Sequence, residues 1–127
     1  MPNKVTYEYA TIRLVPLVER EEFINIGVIL FSKRKKYLNM RYHLDQKKIA
    51  AISSEIETDM IKQYLSAWEA ICRGGPEAGR IGELEMAFRF RWLVAKRDTI
   101  IQSSMTHPGL CDDPEKVLEQ LFKRNVL

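Results

Sequence analysis

General acid–base chemistry near neutral pH is ordinarily done by histidine, and this sequence of 127 residues has two. His107 is the sharper candidate, because it follows a predicted strand and stands among the polar residues Ser103, Ser104 and Thr106. As a general acid or base it needs an orienting carboxylate, for which Glu22 and Asp112 are candidates. The plainer alternative has His107 hydrogen-bonding backbone groups within its own turn, and His43 lies on the polar side of an alternating strand. A second group is Arg13, Arg20, Arg89, Arg91 and Arg97, since guanidinium holds phosphate or carboxylate in a bidentate manner. Arg13, Arg20 and Arg97 around His107 would form the anion clamp and base of a small hydrolase, phosphoesterase-like or nuclease-like. The competing account is an ion-pair network, in which Glu22 or Glu85 neutralises one arginine and Glu85 to Arg89 has the favourable i,i+4 order. Asn25 stands at the entry to an apolar segment, where its amide is expected to cap a turn or meet an arginine.

Charge offers a third chemistry. The net charge is +3, but residues 1–48 hold 10 basic and 5 acidic side chains against 10 and 12 in the remainder. Lys33, Arg34, Lys35 and Lys36 form a tight cluster, supported by Arg41, Lys47 and Lys48, which could contact nucleic-acid phosphates weakly and without sequence preference. The same cluster suits a solvated hairpin turn, where lysine also discourages edge pairing. Cys72 and Cys111 stand alone, outside any CxxC or Cys/His cluster, so no zinc site or disulfide framework is implied and both are expected as free thiols. No cofactor or metal is expected. GxxxxGK[ST], GxGxxG, HExxH and GxSxG are all missing from the sequence, so the common nucleotide hydrolases, dinucleotide enzymes, zincins and serine hydrolases lack their motifs.

The elements that would position these residues can be read from periodicity. Val5–Val15 is rich in β-branched and aromatic residues and predicts a strand closed by Pro16, with Tyr7, Tyr9, Thr11 and Arg13 on one face and Ala10, Ile12 and Leu14 on the other. Glu19–Glu22 is a connection. Phe23–Phe31 is almost wholly apolar, as in a strand buried on both faces, and Gly27 within it marks a bulge or a close backbone approach. Tyr37–Leu44 alternates, with Tyr37, Asn39, Arg41 and His43 on a wet face. Three such strands with short links favour an antiparallel meander.

Asp45 stands where a cap belongs, ahead of a short helix. Thr58 or Asp59 can cap a longer one in which Met60, Ile61, Tyr64, Leu65, Trp68 and Ile71 recur at helical spacing up to Gly74. Residues 74–82 predict a flexible connection. A helix over Glu83–Ala95 gathers Leu84, Phe88, Trp92 and Ala95 on one side, Thr99–Ser104 suits a fourth strand, and Thr106–Gly109 a turn. Asp112 or Asp113 caps a final helix with Val117, Leu118, Leu121 and Phe122 inward. The expectation is one α+β domain over residues 1–127, with an antiparallel sheet of three to four strands against three to four helices. The longest apolar run is far below the ~20 residues of a membrane-crossing helix, and the first residues lack the pattern of a secretory signal, which predicts a cytoplasmic protein.

Several segments together carry a resemblance. Tyr7-Glu-Tyr-Ala-Thr-Ile-Arg-Leu-Val-Pro16, Arg20-Glu-Glu-Phe-Ile-Asn-Ile-Gly-Val-Ile-Leu30, Arg89-Phe-Arg-Trp-Leu-Val-Ala95 with Arg97 and Thr99–Gln102, and His107-Pro-Gly-Leu-Cys-Asp-Asp-Pro114 resemble the bacterial family called domain of unknown function 3037 over nearly the full chain. Lys96 and Asp98 depart from the pattern, which has Pro and Ser there. The resemblance carries no activity. Members are often encoded beside a HipA-like kinase-fold protein, so it implies a small accessory partner of such a protein; with the missing catalytic motifs and the small size, this points to a non-enzymatic interaction module, one half of a toxin–antitoxin or defence-like pair, and self-association is compatible with it. It carries over Arg13, Arg20, Glu22, Asn25, Gly27, Arg97 and His107 as positions without assigned chemistry, while Tyr7, Tyr9 and Arg13 on one strand face are the candidate partner anchors.

Overall fold

The β-branched and aromatic run near the N-terminus forms the longest strand, β1 (Val5–Leu14), in a computed structural model that describes residues 4–127. On one side β1 pairs antiparallel with β2 (Ile24–Ser32), from Glu8 opposite Phe31 to Leu14 opposite Ile24. β2 continues through a tight turn into β3 (Tyr37–Tyr42). On its other side β1 carries two short strands laid end to end. β4 (Ile101–Ser103) pairs with Ile12–Leu14, and β5 (His107–Cys111) pairs with Val5–Tyr9.

The described residues therefore form a single α+β domain with five antiparallel strands, one beyond the three to four expected. The additional strand occupies the segment predicted as a turn at Thr106–Gly109. Pro108 and Gly109 are local breakers, but β5 is an edge strand, which tolerates proline. Gly109 faces Tyr7, whose ring crosses the space a side chain there would fill.

Pairing slips at Gly27. Ile12 opposes Gly27 and Arg13 opposes Asn25, so Ile26 is the extra residue of a bulge. A Cβ on Gly27 would lie 2.6 Å from the Arg41 carbonyl oxygen and 3.0 Å from Tyr42 Cβ. Both expectations for this glycine hold at once.

Among the described residues five α-helices cover the two faces of the sheet. α1 (Gln46–Ile52), α2 (Thr58–Arg73) and α4 (Met86–Val94) lie on the face of Ala10, Ile12, Leu14, Ile29 and Met40, where Phe31 stacks on Phe90 at 5.1 Å. α3 (Gly79–Gly82) is a single turn inside the segment predicted as a flexible connection. α5 (Pro114–Asn125) lies on the opposite face and seals Val28 and Leu30 beneath Leu118, Leu121 and Phe122. β2 is thus buried on both faces, as its almost wholly apolar run requires. The face of Tyr37 and Arg41 is drier than alternation alone predicts. The Tyr37 hydroxyl donates to Glu115 at 3.0 Å, and Arg41 pairs with Glu119 while its guanidinium lies over the Phe122 ring. Among the described residues no helix is long and apolar enough to cross a membrane.

Helix starts follow the sequence at α1 and α5 and depart from it at α2 and at α4, which begins at Met86 rather than Glu83 and leaves Leu84 outside it. Asp45 accepts from the Lys47 and Lys48 backbone N–H groups, and Asp113 from that of Glu115. At α2 the cap is Glu57, without a side-chain bond, and the Thr58 hydroxyl instead donates to Gln46 at 3.2 Å, tying α2 to α1. The Asp45 carboxyl is held below its usual pKa, chiefly by the bond from Lys48 N–H. A depressed folded-state pKa contributes stability above the unfolded value that is lost as pH falls through the folded one. Asp45→Ala is therefore expected to lower the melting temperature at pH 7. Melts repeated at decreasing pH should show the gap from wild type closing below the ordinary carboxylate range.

Candidate functional site

Antiparallel pairing puts directly opposed side chains on one face, so the register of β1 decides which candidates meet. Tyr9 opposes His107, and their rings approach to 5.2 Å at a tilt of 38°. Tyr7 lies next along the strand, 6.3 Å from Tyr9. Tyr7 and Tyr9 pack at one edge against the α5 cluster, while His107 is exposed. Burial pushes the Tyr7 phenol above its usual pKa. The result is an aromatic row along β1 and β5, beside the wall that α5 makes.

Further along the same face stands Arg13, flanked by Asn25 on β2 and Gln102 on β4. Its guanidinium lies 4.1 Å from the centre of the half-exposed Phe23 ring, a cation–π contact that holds it flat. Among the described residues its Nε and the Asn25 Oδ1 are buried without a hydrogen-bond partner, whereas the Asn25 amide donates to the Asn125 carbonyl at the end of α5. A groove runs past Arg13, lined also by Glu21, Phe23, Lys96, Asp98 and Gln102. Arg13 and Tyr9 are four positions apart on one strand, about 13 Å at strand rise.

The remaining candidates lie elsewhere. Glu22 pairs with Arg20 at 2.6 Å, both well exposed, in the connection beyond the Leu14 end of β1. Asp112 lies past the far end of β5, beside the Cys111–Val5 pair. Neither carboxylate is brought to His107, whose neighbour is the Tyr9 ring. Arg97 sits in the helical layer, 4.7 Å over Trp92 and 5.5 Å over Trp68, and donates to the Trp92 and Leu93 carbonyls at the end of α4. Arg91 binds Glu8 through both nitrogens at 2.9 and 2.5 Å. Lys33–Lys36 are exposed at the β2–β3 turn, with Lys36 at a positive φ of 50°. Arg41 is engaged by Glu119, and the Lys48 ammonium donates to the Val126 carbonyl just past α5.

Arg89 corrects the i,i+4 pairing with Glu85. Its side chain turns inward, 8% exposed, and donates to the carbonyls of Ile71, Cys72 and Leu84 at 2.8, 3.0 and 3.1 Å. The last carbonyls of α2 have no partner within the helix and carry the negative end of its dipole; a buried cation satisfies both needs. Gly74, at φ 77°, leaves the room, since a Cβ there would lie 2.6 Å from Arg89 Nη1.

Ser104 is the residue that sequence reasoning under-read. It lies between β4 and β5, 6% exposed, where its hydroxyl accepts from the Thr11 backbone N–H and its own N–H donates to the Thr11 carbonyl, both at 2.9 Å. The only signal in the sequence is a polar residue ending a strand-like run. Cys72 and Cys111 are free and buried. Burial pushes the Cys72 thiol up to about 12 and raises that of Cys111, so neither carries the thiolate a nucleophile needs. Among the described residues no cluster of His, Cys, Asp or Glu could hold a metal ion.

The chain belongs to the family described as protein of unknown function DUF3037, whose profile matches residues 9–126. The matched span takes in β1 from Tyr9, the bulge, the Arg13 groove and all five helices. No curated protein and no solved structure matches the chain.

Hydrogen bonds to a charged group are each worth about 1.5–3 kcal/mol, against about 0–1 for an exposed ion pair such as Arg20–Glu22. Arg89→Met should therefore lower unfolding stability by about 3 kcal/mol, and Arg20→Met by less than about 1 kcal/mol. Urea denaturation of the two variants checks the difference.

Proposed function

We propose that the protein is an accessory module that recognises another protein through the open face of β1 and β5. The observation that carries this reading is the row of Tyr7, Tyr9 and His107 rings continued along the strand by Arg13 on Phe23. Aromatic and arginine side chains held in advance lose little freedom on binding, and they are the residue types that dominate interface energetics. Arg13 presents the cationic end of this surface, so a segment that sets apolar groups on the rings and a carboxylate against Arg13 fits it best. The family resemblance supplies the partner class, a HipA-like kinase-fold protein of the kind often encoded beside family members.

Co-expression with that neighbour, with size-exclusion chromatography of the product at micromolar concentration, tests the reading. Wild type is expected to co-elute with the kinase-fold protein. A variant carrying Arg13→Glu and His107→Ala, shown by circular dichroism to be folded, is expected to elute apart from it. Separate elution of the wild-type pair, or undiminished binding by the variant, overturns the reading.

A further inference from the structure

Charges of both signs line one groove, and the fold pairs none of them. Arg13 and Lys96 share it with Glu21 and Asp98, around a space of about 330 Å³ to which Phe23 gives an aromatic wall. The ion pairs among the described residues join Arg20 to Glu22, Arg41 to Glu119 and Arg91 to Glu8, so they engage none of these four. A concave space with an apolar wall and unpaired groups of both signs is complementary to a small ligand that carries both.

Arg13 is prepared for an anion. Its guanidinium lies over the Phe23 ring, 4.1 Å from the centre, a contact that uses the flat face and leaves the N–H edge for a carboxylate. At that edge the Nε has no partner among the described residues, although Asn25, with its own unpartnered Oδ1, stands opposite on β2. Glu21 follows the turn Val18–Arg20 and holds φ at 56°, where glycine is the usual occupant. A glutamate there keeps a carboxylate at the groove against the preference of its own backbone. Gln102, opposite Arg13 on β4, gives its amide to the Thr99 carbonyl, so its Oε1 remains an acceptor.

We propose that the groove binds a free α-amino acid with an apolar side chain. The carboxylate lies against Arg13 with Lys96 beside it, the ammonium is taken by Glu21, Asp98 and the Gln102 Oε1, and the side chain packs on the half-exposed Phe23 ring. A simple anion is repelled by the two carboxylates and a simple cation by Arg13 and Lys96, whereas a zwitterion is attracted by all four. The site needs no protein partner, and a partner carboxylate docked on Arg13 would compete with the amino acid.

NMR titration of isotope-labelled protein with L-phenylalanine, followed at the Arg13 Nε–H, the Gln102 side-chain amide and the backbone amides, tests the site. Saturable shifts confined to the groove are expected, with a Kd of about 1 mM. N-acetyl-L-phenylalanine, which lacks the ammonium, and L-phenylalaninamide, which lacks the carboxylate, should each bind at least about tenfold more weakly, because a charge-assisted bond is lost. Arg13→Met should bind neither L-phenylalanine nor its acetyl derivative. Glu21 and Asp98 are exposed, so a double variant with Glu21→Gln and Asp98→Asn should keep its fold and now prefer N-acetyl-L-phenylalanine to L-phenylalanine. Absence of saturation by about 10 mM L-phenylalanine, analogues that bind as tightly, or a double variant with the wild-type order of preference overturns the amino-acid site. Separate elution of the kinase-fold protein would leave these titrations unchanged, so the two readings fail independently.

Discussion

One strand has to satisfy three partners. β1 gives one edge to β2 along most of its length and divides the other between β4 and β5. The chain between those two short strands must leave the ladder and return, and a buried Thr11 N–H left open there would cost about 1–3 kcal/mol. Ser104 prevents this by placing its hydroxyl where a backbone carbonyl would otherwise stand. The arrangement of the open face depends on that joint. β4 sets Gln102 beside Arg13, and β5 resumes in the register that lays His107 on Tyr9.

The two layers outside the sheet are held by different physics. α5 closes its face with Leu118, Leu121 and Phe122, and its end is tied by Asn25 and Lys48 to the Asn125 and Val126 carbonyls. The other face adds to its apolar core a buried guanidinium, where Arg89 joins the end of α2 to the start of α4 through three carbonyls. Because Arg89 takes the inward position, the helix cannot also bury Phe88 and Trp92, which lie round the other side. The exposure of Phe88 and Trp92 and the burial of Arg89 are thus two results of one helical phase.

Much of this was legible in the residues. The almost wholly apolar run Phe23–Phe31 gave a strand buried on both faces, Gly27 gave its bulge, and Asp45 and the Asp112–Asp113 pair gave their helix starts. The phase of α4 was not legible, since apolar residues surround the helix and only the waiting carbonyls of α2 choose Arg89 for the interior. β5 was hidden because Pro108 and Gly109 are turn formers locally, and the bonding edge that overrides them lies about a hundred positions away on β1. A similar distance separates Thr11 from Ser104.

The dependence of the aromatic face on that joint can be measured directly by amide hydrogen exchange and ring-proton NMR on wild type and Ser104→Ala. The account predicts that the Thr11 amide of wild type exchanges as slowly as its neighbours Ala10 and Ile12. In Ser104→Ala it should exchange about tenfold faster, with the Tyr9–His107 ring contact weakened. Equal protection of Thr11 in both proteins, with the ring contact intact, would contradict it.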